Sequence, residues 1–385
     1  MKPIYLDYAA TSPLRPEVRE AMEPFLSDGF GNPASVHRWG RDAGRALEDA
    51  REEVGESLGV PPAEVFFVRG GTEGDNLAVL GRIRSRLRAG APAHLVISSI
   101  EHSAVREAAA QAGREGARVD TIPVDARGMP DWEVLEAALE SGADLVSVMW
   151  VNNETGLVLP IEEVGERCRH YGVPFHTDAV QALGRMAVDL KSFPAELATF
   201  SAHKVGGPKS VGVLVAREGV ELEPLHFGGG QEGGLRPGTP DVAGAVGAAR
   251  AVRLAVDEGS SRDHVRRLRD LLEEGLRSRI PDLRIHGGEG PRAPHISNLG
   301  FPGVDASTLI VSLDLNGVAV SRGSACASGT EGASPVLRAL YGPEALDYAP
   351  VRFSLSPATP EEEVREAVTR TVETLERVRA MEVGA

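Results

Sequence analysis

The chain has 385 residues, 42% hydrophobic and 25% charged, which suits an ordered protein with room for two lobes around separate cores. Its formal net charge of −15 excludes a sequence-independent grip on nucleic acid, because neutralising phosphates takes a basic surface. No apolar run approaches the ~20 residues of a membrane helix, and two cysteines, Cys168 and Cys326, are too few for a disulfide framework and unpatterned for zinc.

The start, MKPIYLDYAATSP, lacks a charged stretch followed by a long apolar run, so no signal peptide is expected and the protein reads as cytoplasmic. From about residue 60 to 216, β-rich runs alternate with helical patterns. The runs cover 64–68, 94–98, 117–124, 144–150, 173–177, 197–201 and 211–216, and amphipathic stretches lie at 73–87, 102–113 and 160–172. Such alternation predicts a mostly parallel sheet with helices on both faces and ligands at the carboxyl ends of its strands. After the glycine-rich GGGQEGGLRPGTP, one long helical region over 241–280 leads into β-like runs at 283–286, 295–300 and 318–321. Helical patterns follow at 306–315 and from 360 onward. The expected organisation is a large α/β domain over 15–250 and a smaller α+β domain made of 1–14 and 251–385.

Five polar clusters follow five of the apolar runs. In Gly70-Gly71-Thr72-Glu73-Gly74-Asp75-Asn76, glycines let the backbone approach an anion at a helix N-terminus. The plain alternative is a capping box, with Thr72 as the cap and Asp75 three residues on. Glu101-His102-Ser103 sets an imidazole at the sheet rim, able to stack on a ring or move protons near neutral pH. Asn152-Asn153-Glu154 offers an orienting amide or an ordinary turn. Within His176-Thr177-Asp178-Ala179-Val180-Gln181, a carboxylate could pair with a protonated pyridine nitrogen, cap a helix, or join His176 on a metal. No third ligand has recognisable spacing, so no metal site is expected.

The fifth cluster, Ser201-Ala202-His203-Lys204, carries a lysine just past an apolar strand, where its amine could form an imine with an aldehyde. Lysine occurs at only positions 2, 191, 204 and 209 among 41 basic residues, which narrows any search for such an amine. Together the clusters fit pyridoxal phosphate better than a nucleotide, since there is no Walker sequence and no GxGxxG after the first strand. Cys326 lies among glycines and small polar residues, predicting an exposed, mobile loop and a reactive thiol. Cys168, inside EEVGERCRHYG, reads as a packed helix residue.

In order along the chain, YLDYAATSP, FGNPASVHRWG, GGTEGDN, EHSAV, VNNETG, HTDAVQ, SAHKVGGPK, GGGQEGGLRPGT, SRGSACASG and VRFSLS resemble the NifS-like cysteine desulfurases, pyridoxal-phosphate enzymes of aminotransferase class V. The resemblance covers nearly the whole chain and implies the aminotransferase-like α/β fold, fold type I. It implies that Lys204 holds the cofactor as a Schiff base and that Asp178 pairs with the pyridinium nitrogen. Gln181 and Asn153 would contact the ring-oxygen side, with Asn153 also near the substrate, and His102 would stack on the ring. Gly71, Thr72, Ser201 and His203 would hold the phosphate, joined by Thr239 from the other subunit of a homodimer. Arg352 is similar to the family's binder of the substrate carboxylate.

The implied reaction takes L-cysteine. Lys204 removes the α-proton, His102 serves as acid–base partner, and the Cys326 thiolate takes the sulfur while L-alanine leaves. The persulfide would pass to an acceptor protein, such as an iron–sulfur scaffold or a thiolation partner. Arg69 and Arg322 depart from the family pattern, standing where small hydroxyl residues are expected, and the segment from Cys326 to PVLRAL is long. The rival readings are a selenocysteine lyase or another class-V enzyme, and a non-catalytic scaffold of the same fold. A cysteine in a Gly/Ser loop favours desulfuration, and Lys204, Asp178 and Cys326 together favour an enzyme.

Overall fold

Residues 2–323 and 334–383 are described by the computed structural model, so Cys326 and its loop lie outside the described residues. Strand β1 (Ile4–Tyr5) precedes a seven-stranded sheet built from β2 (Val65–Val68), β3 (His94–Ser98), β4 (Arg118–Ile122), β5 (Leu145–Ser147), β6 (Phe175–Asp178), β7 (Leu197–Ser201) and β8 (Gly212–Ala216). Their order is β2-β8-β7-β6-β5-β3-β4. Only β8 runs against its neighbours; the other six strands point the same way.

Every residue of β3, β5, β6, β7 and β8 is buried. Burial on both faces explains why these strands read as unbroken apolar runs instead of alternating ones. Successive side chains still divide between two cores. Leu95 and Ile97 of β3 and Leu214 of β8 pack under helices Gly71–Arg88 and Ser103–Arg114. Val96, Val213 and Val215 pack on the other side, against helices Arg38–Leu58, Ile161–Tyr171 and Val242–Asp257. Cys168 belongs to that second layer, where burial pushes its thiol up to about 12. A thiol held protonated is chemically inert.

A third apolar cluster gathers helices Arg262–Arg277, Ala306–Leu315 and Glu361–Val383 with Ile4 and Leu6 from the chain start. Its strands are β9 (Arg284–His286), β10 (Ile296–Pro302), β11 (Val318–Ala319) and β12 (Tyr348–Ser354). The last completes an antiparallel sheet of order β12-β10-β9, and β11 pairs in parallel with β1. The VRFSLS motif thus falls at the end of a strand that its short apolar pattern did not announce. The single helical region expected over 241–280 is two helices, Val242–Asp257 and Arg262–Arg277, split by a 3₁₀ turn at Glu258–Ser261. Gly259, Ser260 and Ser261 are poor helix formers, and the break lets the first helix pack on the large sheet and the second on the third cluster.

Candidate functional site

The carboxyl ends of β2, β3, β5, β6 and β7 converge on one cavity of about 280 Å³. After β2 the chain turns at Gly70, whose φ of +110° and ψ of −177° suit glycine. Helix Gly71–Arg88 then begins with no side-chain cap. Thr72, expected as a possible cap, instead lies inside the first turn, its carbonyl accepting from Asn76 Nδ2 at 2.8 Å. The helix starts two residues before the capping-box reading allows, and its first turn, without a side-chain cap, lines the cavity beside Ser201. Arg69, beside this turn, is exposed.

After β3, His102 caps helix Ser103–Arg114, its Nδ1 accepting from the Ala104 N–H at 3.1 Å. An imidazole that accepts at Nδ1 carries its proton on Nε2. Burial lowers its pKa, with Asp178 opposing, so the ring is neutral near pH 7. Beneath it Glu101 is fully buried; its Oε1 accepts from Ser98 Oγ at 2.5 Å and from the Met149 N–H at 2.8 Å. Burial raises this acid to about 8, so it is largely protonated at neutral pH.

Beyond β5, Asn152 Oδ1 accepts from the N–H groups of Glu154 and Thr155, a turn-building role. Asn153 lines the cavity with its Oδ1 buried and without a partner among the described residues. At the end of β6, Asp178 accepts the Val180 N–H at 2.9 Å. Gln181 is committed on both sides of its amide: Nε2 donates to the Ala9 carbonyl at 2.9 Å, and Oε1 lies 3.0 Å from His295 Nε2. One amide hydrogen remains for a ligand.

Past β7, the 3₁₀ turn Ala202–Val205 presents Lys204, whose Nζ donates to the carbonyls of Ala9 and Ala10 at 2.8 Å each. His203 sits 3.1 Å from Thr11 Oγ1, and burial lowers it to about 4. Arg352 reaches in from β12 and is 2% exposed. It donates to the Asn153 carbonyl at 2.7 Å and the Gly323 carbonyl at 3.2 Å, and pairs with Asp7 at 2.9 Å. Its Nε has no partner among the described residues.

Ten of the residues singled out above therefore meet: Gly71, Thr72, His102, Asn153, Asp178, Gln181, Ser201, His203, Lys204 and Arg352. Thr239 does not; it is exposed and lies outside its own chain's cavity. Cys326 is outside the described residues. Sequence reasoning missed Asp7, the ion-pair partner of Arg352, and the carbonyls of Ala9 and Ala10. Their motif, YLDYAATSP, was visible, but backbone acceptors leave no residue-type signal. A larger cleft of about 540 Å³, around Arg15, Arg185 and Glu258, is lined by none of the site residues singled out above.

Asp75 is a further lining residue, and ligating atoms of Asp75, His102 and Asp178 lie within 4.8 Å of one another. A metal is a poor fit, because His102 would have to ligate through the nitrogen that holds its proton while Nδ1 already faces an N–H. His176, the other suspected ligand, is engaged at both nitrogens, with Ser147 Oγ at 2.8 Å and Thr199 Oγ1 at 3.1 Å. Two carboxylate charges at this separation repel by about 3 kcal/mol even at an effective dielectric of ~20. The arrangement calls for one proton or one organic cation.

The profile of the Aminotransferase class-V family matches residues 4–366. The chain belongs to the class-V aminotransferase family. Within that family it is similar to a cysteine desulfurase of Trichormus azollae, 39% identical over 99% of this chain and 95% of the relative. A cysteine desulfurase IscS of Dictyoglomus turgidum is also 39% identical, over 97% and 94% of the two chains. Among solved structures, a NifS-like protein superposes with a TM-score of 0.90 at 35% identity, covering 97% of this chain and all of that one. A structure described as SspA in complex with cysteine superposes at 0.80 with 32% identity, covering 93% and 100%.

Class-V aminotransferases work with pyridoxal phosphate, and the cavity of this member fits that group. The uncapped turn at Gly71 and Thr72 suits a phosphate, the Asp75–Asp178 pair suits a protonated ring nitrogen, and Lys204 supplies an amine. The buried orphan atoms Asp75 Oδ1, Asn153 Oδ1 and Arg352 Nε all belong to residues that line the same space.

Proposed function

We propose that this protein is a cysteine desulfurase that takes the sulfur of L-cysteine onto Cys326 and releases L-alanine. The observation that carries the reading is the meeting of an amine (Lys204), a buried carboxylate (Asp178) and a buried guanidinium (Arg352) in one cavity. When bound, pyridoxal phosphate supplies an aldehyde for Lys204 and a ring that withdraws electrons from the substrate's α-carbon.

The protein's own groups do the rest. The Gly71–Thr72 turn, with Ser201 and His203, anchors the phosphate. Asp178 holds the ring nitrogen protonated, and Gln181 and Asn153 orient the ring-oxygen side. Arg352 receives the substrate carboxylate, exchanging one of its contacts with Asp7. Lys204 Nζ takes the α-proton and returns it to carbon. His102, with its proton on Nε2, would stack on the ring and move protons at the sulfur. The Cys326 thiolate attacks the substrate sulfur: an S–S bond forms and the C–S bond breaks. Cysteine and one enzyme thiol thereby become alanine and an enzyme persulfide, with no outside oxidant or reductant.

The lobe of residues 15–250 holds the cofactor in this reading, and residues 1–14 with 251–385 bring Arg352 and Cys326. The working unit is a homodimer in which the partner subunit's Thr239 completes the phosphate site. The exposure of Thr239 and of Phe30, Val36 and Trp39 supports this. A cytoplasmic sulfur-acceptor protein, of the iron–sulfur scaffold or thiolation kind, receives the persulfide. Cys326→Ala tests the chemistry. The variant should keep the yellow absorbance of bound cofactor and lose sulfide release from cysteine; turnover at the wild-type rate would remove Cys326 from the mechanism.

A further inference from the structure

Asp75 lines the cavity beside Asp178 yet takes no part in the steps above. It lies in helix Gly71–Arg88, is 1% exposed, and its Oδ1 has no hydrogen-bond partner among the described residues. His176 Nε2, 3.7 Å from it, belongs to a ring already engaged by Ser147 and Thr199. Burial drives that ring down to about 3, so it brings no positive charge. Glu101, buried on the loop after β3, adds only another acid. Burial pushes Asp178 up as well, but it has the Val180 N–H at 2.9 Å and the Lys204 amine favouring its charged form. Asp75 has burial and Asp178 against its charge and only a Thr199 hydroxyl for it. With oxygens within 4.8 Å of each other in a buried site, the two carboxyl groups repel when both are ionised, which favours protonation of the one with less support for its charge.

We propose that Asp75 is a positioning residue that carries this proton, so that the pair presents a single negative charge, on Asp178, to the cofactor's ring nitrogen. The inference rests on the cofactor reading above and deepens it. One buried charge matches one pyridinium charge. Two would leave an uncompensated anion in the core, and none would release the ring's proton.

The test uses the holoenzyme. With aspartate carboxyls labelled with ¹³C, infrared spectra at pH 7 should show a protonated aspartic C=O band, which the label separates from Glu101. Asp75→Asn should abolish that band. It should also leave the pH midpoint of the bound cofactor's absorbance change where it was, because the amide replaces a group that is already neutral. A midpoint shifted by about one unit or more would mean that Asp75 is ionised, and it would overturn the proposal. So would a band that survives the substitution. If Asp75→Asn does not fold, the wild-type spectrum decides alone, since no protonated aspartate at pH 7 sinks the idea. Protein that stays colourless with excess cofactor fails the cofactor reading instead, which keeps the two failures distinct.

Discussion

At the scale of single residues, burial sets the chemistry more than residue type does. His102, His176 and His203 are all pulled down by burial, the last two to about 3 and about 4, so each acts as a neutral ring. Glu101 goes the other way, holding its proton to about pH 8, whereas an exposed glutamate releases it near 4.5. Between those values the folded chain binds a proton that the unfolded chain has lost. Stability therefore falls as pH rises across that window, by up to about 1.4 kcal/mol per pH unit. Glu101→Gln keeps an acceptor for Ser98 and Met149 but removes the titration. Urea unfolding of the holoprotein from pH 5 to 8 should show the variant gaining on wild type by on the order of 2 kcal/mol. Parallel curves would mean that Glu101 is ionised in the fold.

At the scale of elements, the turn after β2 depends on two glycines, one in the turn and one in the adjacent strand. Gly70 adopts a left-handed φ at the end of β2, and Gly212 of β8 lies against it. A Cβ on Gly212 would stand 2.6 Å from the Phe200 carbonyl oxygen and 2.7 Å from Gly70 Cα, both backbone atoms with little freedom to yield. Gly212→Ala should therefore destabilise by about 2–3 kcal/mol and weaken cofactor binding, because the wedge pushes on the turn itself. Denaturant midpoints and a cofactor titration would read both effects. Wild-type values in both would mean that the strands have slack there. The same logic explains the break at Glu258–Ser261, where the helical pattern persists in sequence but the apolar face must turn from one core to another.

At the scale of the whole molecule, the chain leaves a patch that its own cores do not cover. Phe30 and Trp39 stack with ring centroids 6.4 Å apart and are 73% and 55% exposed, and Val36 beside them is 88% exposed. A cluster of this kind marks an interface, and a second copy of the chain is the occupant proposed above. Trp39→Glu puts a charge into that contact and should shift the protein toward monomers in sedimentation velocity. Cofactor affinity should fall with it, since the partner's Thr239 would be lost. An undisturbed dimer would move the interface elsewhere.

The sequence by itself determined the alternation of strands and helices, the clusters at the strand ends and the family. Each is carried by local periodicity or by a short motif, which a single chain displays without folding. Only the tertiary structure decided that Asp7 meets Arg352, that Lys204 donates to Ala9 and Ala10, and that Asp75 and Asp178 come within 4.8 Å of each other. It also decided that Thr72 does not cap its helix and that Thr239 stays outside its own chain's cavity. Contacts between distant positions leave no local trace, and a group's charge depends on the water it loses, which packing alone controls.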